Sequence, residues 1–158
     1  MRRRELTTSV IFGSFGIFFV LFFWMFFAFP RSSPSLSSAS VREMTIGTTT
    51  LRVEIAETSD AHVKGLSGRS KLTDGTGMLF IFDHPDLYGF WMPDMKFPID
   101  IIWFGDDWHI VDIASDVSPD SYPKVFVPKA KAQYVLEAPA GTAHRWGWDE
   151  ETPASLSE

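Results

Sequence analysis

Asp100 stands inside Phe90-Trp-Met-Pro-Asp-Met-Lys-Phe-Pro-Ile-Asp-Ile-Ile-Trp-Phe104, a run dense enough in apolar side chains to belong to a core. A buried carboxylate without a partner costs several kcal/mol or takes up a proton. Asp100 therefore needs a donor. The candidates, in order, are Arg69, Lys96, His109 and backbone N–H groups. One outcome is a structural aspartate that fixes a loop near Pro98; the other is a site residue, since acids with shifted pKa gather at functional sites. Arg69 and Glu137 raise the same question, because each sits among apolar neighbours. Arg69 could make a bidentate pair with Glu137 or with Asp100. Asp100 and Glu137 could alternatively work as acid and base on a glycosidic bond, provided that roughly 5–9 Å separates them.

Other chemistries find less support. His62, His84, His109 and His144 show no H-x-H or H-x-x-x-H spacing, so a zinc set is weakly indicated. Met78, Met92 and Met95 could hold cuprous ion, although methionine more commonly fills cores. No metal or cofactor is expected. There is no cysteine, which removes disulfides, thiolate metal sites and cysteine nucleophiles. No Ser-His-Asp order, nucleophile elbow, phosphate loop or dinucleotide fingerprint appears. Trp91 and Trp103 are expected in the core, and Trp146 and Trp148 at the surface, where indole faces can meet a ligand.

The elements that must carry these residues are short. Leu51 to Ala56 alternates apolar and charged side chains, as a half-buried strand does. Thr58 can cap one or two helical turns that stop at Gly65. Further strands are expected at Met78–Phe82, Gly89–Met92, Pro98–Phe104 and Trp108–Ala114, with Gln133–Ala138 the last. Asp83–Asp86 reads as a loop, Gly105-Asp106-Asp107 as a hairpin turn, and Val117–Pro128, with three prolines, as an extended surface segment. Within Ile99–Phe104, Ile99, Ile101 and Trp103 share one face while Asp100, Ile102 and Phe104 share the other, so both faces should be covered. These strands imply a mainly β domain, an antiparallel sandwich or partly open barrel with one short helix.

Before that domain lies a different composition. Arg2, Arg3 and Arg4 precede Val10–Phe29, twenty residues without a charge. As a helix these would span about 30 Å, the thickness of bilayer hydrocarbon. The arginines favour a cytoplasmic N-terminus. The expected organisation is a basic tip at 1–9, a single-pass transmembrane helix at 10–29, a Ser/Pro-rich linker at 30–43, an extracytoplasmic β domain at 44–148 and an acidic, disordered tail at 149–158. The alternative is a signal peptide cleaved near Ser37-Ser38-Ala39, which would leave a secreted or periplasmic protein. Apart from Arg2, Arg3, Arg4 and Glu5, the chain holds 11 basic and 19 acidic residues, a net charge of −8. That balance argues against nucleic acid as a partner, and against lying flat on anionic lipid.

Four segments, Val63-Lys-Gly-Leu-Ser-Gly-Arg69, Gly77-Met-Leu-Phe-Ile-Phe82, Phe90 to Trp103 and Tyr134-Val-Leu-Glu-Ala-Pro-Ala-Gly141, resemble in order and spacing the family catalogued as domain of unknown function 192. The similarity spans roughly Thr50 to Trp148. It implies a small, mainly β, sandwich or jelly-roll-like domain, often carried behind a signal or membrane anchor in bacteria and archaea. It implies no activity. This chain departs from the pattern at Pro93-Asp94, where the family often has Lys-Asn or Lys-Asp; Pro93 removes a backbone donor there.

These features point first to a tethered extracytoplasmic binding or accessory domain. Its pocket would be bordered by Arg69, Trp91, Asp94, Lys96 and Asp100, and would take a small polar ligand, a wall component or a partner peptide. A hydrolase using Asp100 and Glu137, and a metal-handling domain, are the alternatives.

Overall fold

The computed structural model describes residues 40–158; the expected membrane helix at 10–29 and most of the linker lie outside them. Seven strands form one sheet in the order β5-β4-β6-β3-β2-β1-β7. They are β1 (Val41–Ile46), β2 (Thr49–Ala56), β3 (Thr76–Asp86), β4 (Ile99–Phe104), β5 (Ile110–Val117), β6 (Ala132–Pro139) and β7 (Ala154–Leu156). Two short helices, α1 (Ser59–Lys64) and α2 (Thr142–Trp146), complete the described elements with a 3-10 turn at Pro119–Ser121. The protein is thus mainly β, a single curled half-barrel sheet rather than two packed sheets. The sheet is also mixed, because β2 and β3 pair in parallel. A parallel pair needs a crossover, and α1 lies within it. Thr58 caps α1 by accepting from the Ala61 N–H at 3.2 Å, and the helix stops at Gly65 with φ +46°.

Alternation along the strands builds two cores, one on each face. Leu51, Val53 and Ile55 of β2 join Leu79, Ile102, Phe104 and Leu136 on the first face. Met78, Phe80, Ile99, Ile101, Trp103 and Val135 make the second. All six residues of β4 are buried, as its two apolar faces require.

Several local expectations change. Asp83–Asp86 continues β3 after a register shift instead of looping. Gly89–Met92 forms no strand; its one bridge, Phe90 to Phe126, is isolated and lies outside the sheet, and Pro93 follows at once. Val41–Ile46 adds an unforeseen strand. The expected tail at 149–158 holds β7, antiparallel to β1, with Ala154 and Leu156 packed on the first core. An isolated bridge between His109 and Pro153, and an Ala154 N–H donating to the Trp108 carbonyl at 2.9 Å, carry this last segment to the β4–β5 turn.

Candidate functional site

Asp100 is fully buried, and its donors are backbone amides rather than a cation. Oδ1 accepts from Asp116 N–H at 2.8 Å and Gly141 N–H at 3.1 Å; Oδ2 accepts from Ala143 N–H at 2.9 Å. The carboxylate thereby fastens the end of β5 and the start of α2 to β4. Arg69 hydrogen-bonds neither Asp100 nor Glu137. Its two terminal nitrogens bind both oxygens of Glu54, each at 2.6 Å. This hydrogen-bonded guanidinium holds the Glu54 carboxyl below its usual range.

The registers explain both outcomes. Glu54 pairs with Met78, Met78 with Glu137, and Glu137 with Ile101, so these four form one row on the second face. Adjacent strands lie about 4.8 Å apart, which puts Glu54 about 10 Å from Glu137 along the row. Asp100 pairs with Ala138, one residue out of that row, so its side chain is on the opposite face. Asp100 and Glu137 are separated by the sheet and cannot flank one bond, which overturns the acid–base pair.

Glu137 instead opens onto a groove of about 250 Å³ on the second face. One wall is the end of α1 and the turn Gly65–Ser67. The other is the segment Tyr88–Met95, and Phe80 and Phe82 of β3 lie below. Glu137 is 5% exposed, and its Oε2 has no hydrogen-bond partner. Burial pushes its carboxyl up to about 8, against the opposing pull of the Arg69 charge. The acid is therefore mostly protonated at neutral pH.

Local chemistry shapes this groove. Gly65 takes φ +46°, which favours glycine, and its Cα stands over the groove, where a Cβ would lie 3.4 Å from Phe80 Cζ and 3.7 Å from Glu137 Oε2. The rings of Phe80 and Phe90 meet edge-on at 4.9 Å, and Phe82 stacks on Tyr88 at 3.6 Å. The His62 ring lies 4.5 Å from that of Phe82, and its Nε2 is 2.9 Å from the Ala56 carbonyl. The walls are laced together at one end. Ser67 Oγ donates to the Pro93 carbonyl at 2.8 Å, Gly68 N–H to the Asp94 carbonyl at 3.0 Å, and Lys96 Nζ to the Gly68 carbonyl at 3.3 Å.

The residues read from sequence as a pocket therefore divide. Trp91 lines the groove and is 53% exposed, against its expected place in the core. Asp94 and Lys96 join the turn at Gly68 to the Pro93 loop. Arg69 is held at Glu54, and Asp100 is across the sheet. Trp148 is buried in the first core, not exposed, while Trp146 is half exposed as expected. Met78, Met92 and Met95 all belong to the second core and its margin. Among the described residues, no three His, Asp or Glu side chains converge as a metal set. Sequence reasoning missed Phe80, Phe82, Phe90 and His62. The alternation of Phe80 and Phe82 in Met78–Phe82 was their one available signal.

The family model DUF192, described as "Uncharacterized ACR", matches residues 41–154. Solved structures similar to the chain include the following two. One, from Sinorhizobium meliloti 1021, is 26% identical with a TM-score of 0.72, over 75% of this chain and 95% of that one; its description proposes a transcription regulator. The other, from Novosphingobium aromaticivorans DSM 12444, is 30% identical with a TM-score of 0.72, over 77% of this chain and 89% of that one, and is described as a protein of unknown function. No curated protein matches the chain at a significant level.

Proposed function

The chain belongs to the DUF192 family, whose description names no activity, and from the groove itself we propose that it is a binding domain for a small polar ligand with an apolar body. One observation carries this: the half-exposed Trp91 and the unpartnered carboxyl of Glu137 open onto the same groove. Aromatic walls with a few placed polar groups are the usual make-up of a ligand site. A single carboxyl in the groove, with the other buried acid across the sheet, favours binding over hydrolysis.

We further propose that the domain works outside the plasma membrane on a single-pass anchor. The uncharged run Val10–Phe29 behind Arg2, Arg3 and Arg4 supports that topology. Small wall fragments, or the end of a partner peptide, are the ligand sources this placement favours.

A fluorescence screen of the full chain in lipid nanodiscs tests the binding role. Amines, sugars and short peptides are titrated against the wild type and Trp91→Phe. A ligand that changes the wild-type emission but not that of Trp91→Phe is expected. If none does so in a folded protein, the groove is not a ligand site.

A further inference from the structure

Taking the groove as a ligand site, as above, we propose that its ligand is an organic cation, a primary ammonium on an apolar stem, whose charged head docks on Glu137 in the groove that Phe80, Phe90 and Trp91 also line. Three observations converge. Glu137 Oε2 is buried and lacks a donor, and every other contact within the protein leaves it so. A buried acceptor without a partner is costly, and an incoming N–H supplies what is missing. The walls are aromatic, and ring faces attract an ammonium within about 6 Å of the centroid while repelling an anion. The domain as a whole is acidic, which raises the local concentration of cations and lowers that of anions.

The stem is specified by the same walls. Phe82, Pro93 and Met95 offer apolar contact to a chain extending from the head. Sugars, with hydroxyls on all sides, would leave several groups unpaired there. A carboxylate ligand would set a second acid against Glu137. The charged and titratable groups around Glu137 do not satisfy it. Arg69, from the turn after α1, is committed to Glu54 of β2. Lys64 and His62 of α1 and Tyr88 of the facing segment stand on the walls, and none bonds Oε2. Opposite it across the strands are Met78 of β3 and Ile101 of β4.

Binding then exchanges one cation for another. The empty groove keeps Glu137 protonated; the ammonium takes the place of that proton, which leaves to solvent. The O–H bond of the acid breaks, an N–H···O contact forms, and charge balances. Phenethylammonium, 2-phenylethanol and 3-phenylpropionate share a stem and differ in the head, so they separate charge from shape.

Calorimetry on the full chain in nanodiscs, from pH 7 to 9 and in two buffers of different ionisation heat, is the test. Phenethylammonium is expected to bind most tightly, with affinity rising about tenfold per pH unit up to about 8 and levelling above it, where Glu137 is already ionised. About one proton should be released per ligand below that point. Glu137→Gln, an isostere of the protonated acid that keeps His62, Lys64 and Arg69, should weaken binding at least tenfold and abolish the slope. If 2-phenylethanol binds and phenethylammonium binds no better, the cation assignment falls while the groove stands as a ligand site. The same follows if proton release is absent, or if Glu137→Gln binds the ammonium as well as the wild type. If no probe binds, both the cation and the groove fall.

Discussion

Replacing Asp100 with asparagine tests the amide clamp more sharply than deleting the side chain. The carboxylate accepts three N–H groups, two on Oδ1 and one on Oδ2. Hydrogen bonds to a charged acceptor contribute about 1.5–3 kcal/mol each, and neutral ones about 1. Asparagine can point its one oxygen at Asp116 and Gly141, which keeps two bonds at the weaker, neutral value. Its NH2 then faces the Ala143 N–H, donor against donor. A buried N–H left unpaired costs about 1–3 kcal/mol. Asp100→Asn should thus destabilise by about 3 kcal/mol. Asp100→Ala, which strands all three amides and leaves a small cavity, should cost about 5 kcal/mol or more. Urea unfolding of the compact unit Ser38–Glu158 measures both, with the slope m unchanged. Hydrogen exchange adds the local signature: the amides of Asp116, Gly141 and Ala143 should lose protection in Asp100→Asn ahead of their strand neighbours. A change below about 0.5 kcal/mol, or unaltered exchange at those three amides, would show that the carboxylate does not hold them.

Glu137→Gln should change how stability depends on pH. The folded carboxyl sits at about 8 against an ordinary value of 4.5, so between these the folded form binds the extra proton and stability falls as pH rises. The slope is about 1.4 kcal/mol per pH unit, up to about 5 kcal/mol in all, and flat above 8; Glu137→Gln should remove it in denaturation curves taken from pH 5 to 8.5. Glu54, whose carboxyl is lowered by Arg69, acts below that window, its contribution being lost as pH falls. Arg69→Ala should cost no more than about 1 kcal/mol at neutral pH, because the pair is about one-third exposed; a loss of several kcal/mol in the urea midpoint would mean that Arg69 supports Glu137 as well. Gly65→Ala should cost about 1–2 kcal/mol, since φ is +46°, a conformation that a side chain rarely adopts. Calorimetric affinity for phenethylammonium should fall with it, because that methyl narrows the approach to Glu137.

How far the sequence reaches depends on whether local alternation or distant pairing decides a feature. The two-sided burial of β4 was legible because Ile99, Ile101 and Trp103 alternate with Ile102 and Phe104 against the same apolar background. The need for a partner at Asp100 was legible for the same reason; its identity was not. Amide N–H groups leave no mark in a sequence, and those at Asp116, Gly141 and Ala143 reach Asp100 only once β5 and α2 are in place. Hydrophobic neighbours point Arg69 towards Glu137 or Asp100, whereas its partner is Glu54 of β2, the strand that pairs in parallel with β3. Glu54 itself read as a solvent-facing charge in an alternating strand. Trp91 was misplaced because its apolar flanks suggested a strand, and Pro93 stops that strand before the indole can turn inward. The short β7 escaped notice because three residues carry too little pattern to stand out from an acidic segment.

That last strand works as a clasp. Met44, Thr45 and Ile46 present their outer edge to Leu156, Ser155 and Ala154, and Pro153 reaches the hairpin beyond Trp108. Trimming the final few residues would therefore leave the curl with a raw border of unpaired peptide groups, ready to recruit a strand from a second molecule. A stretch easily dismissed as trailing chain is what covers this border of the sheet.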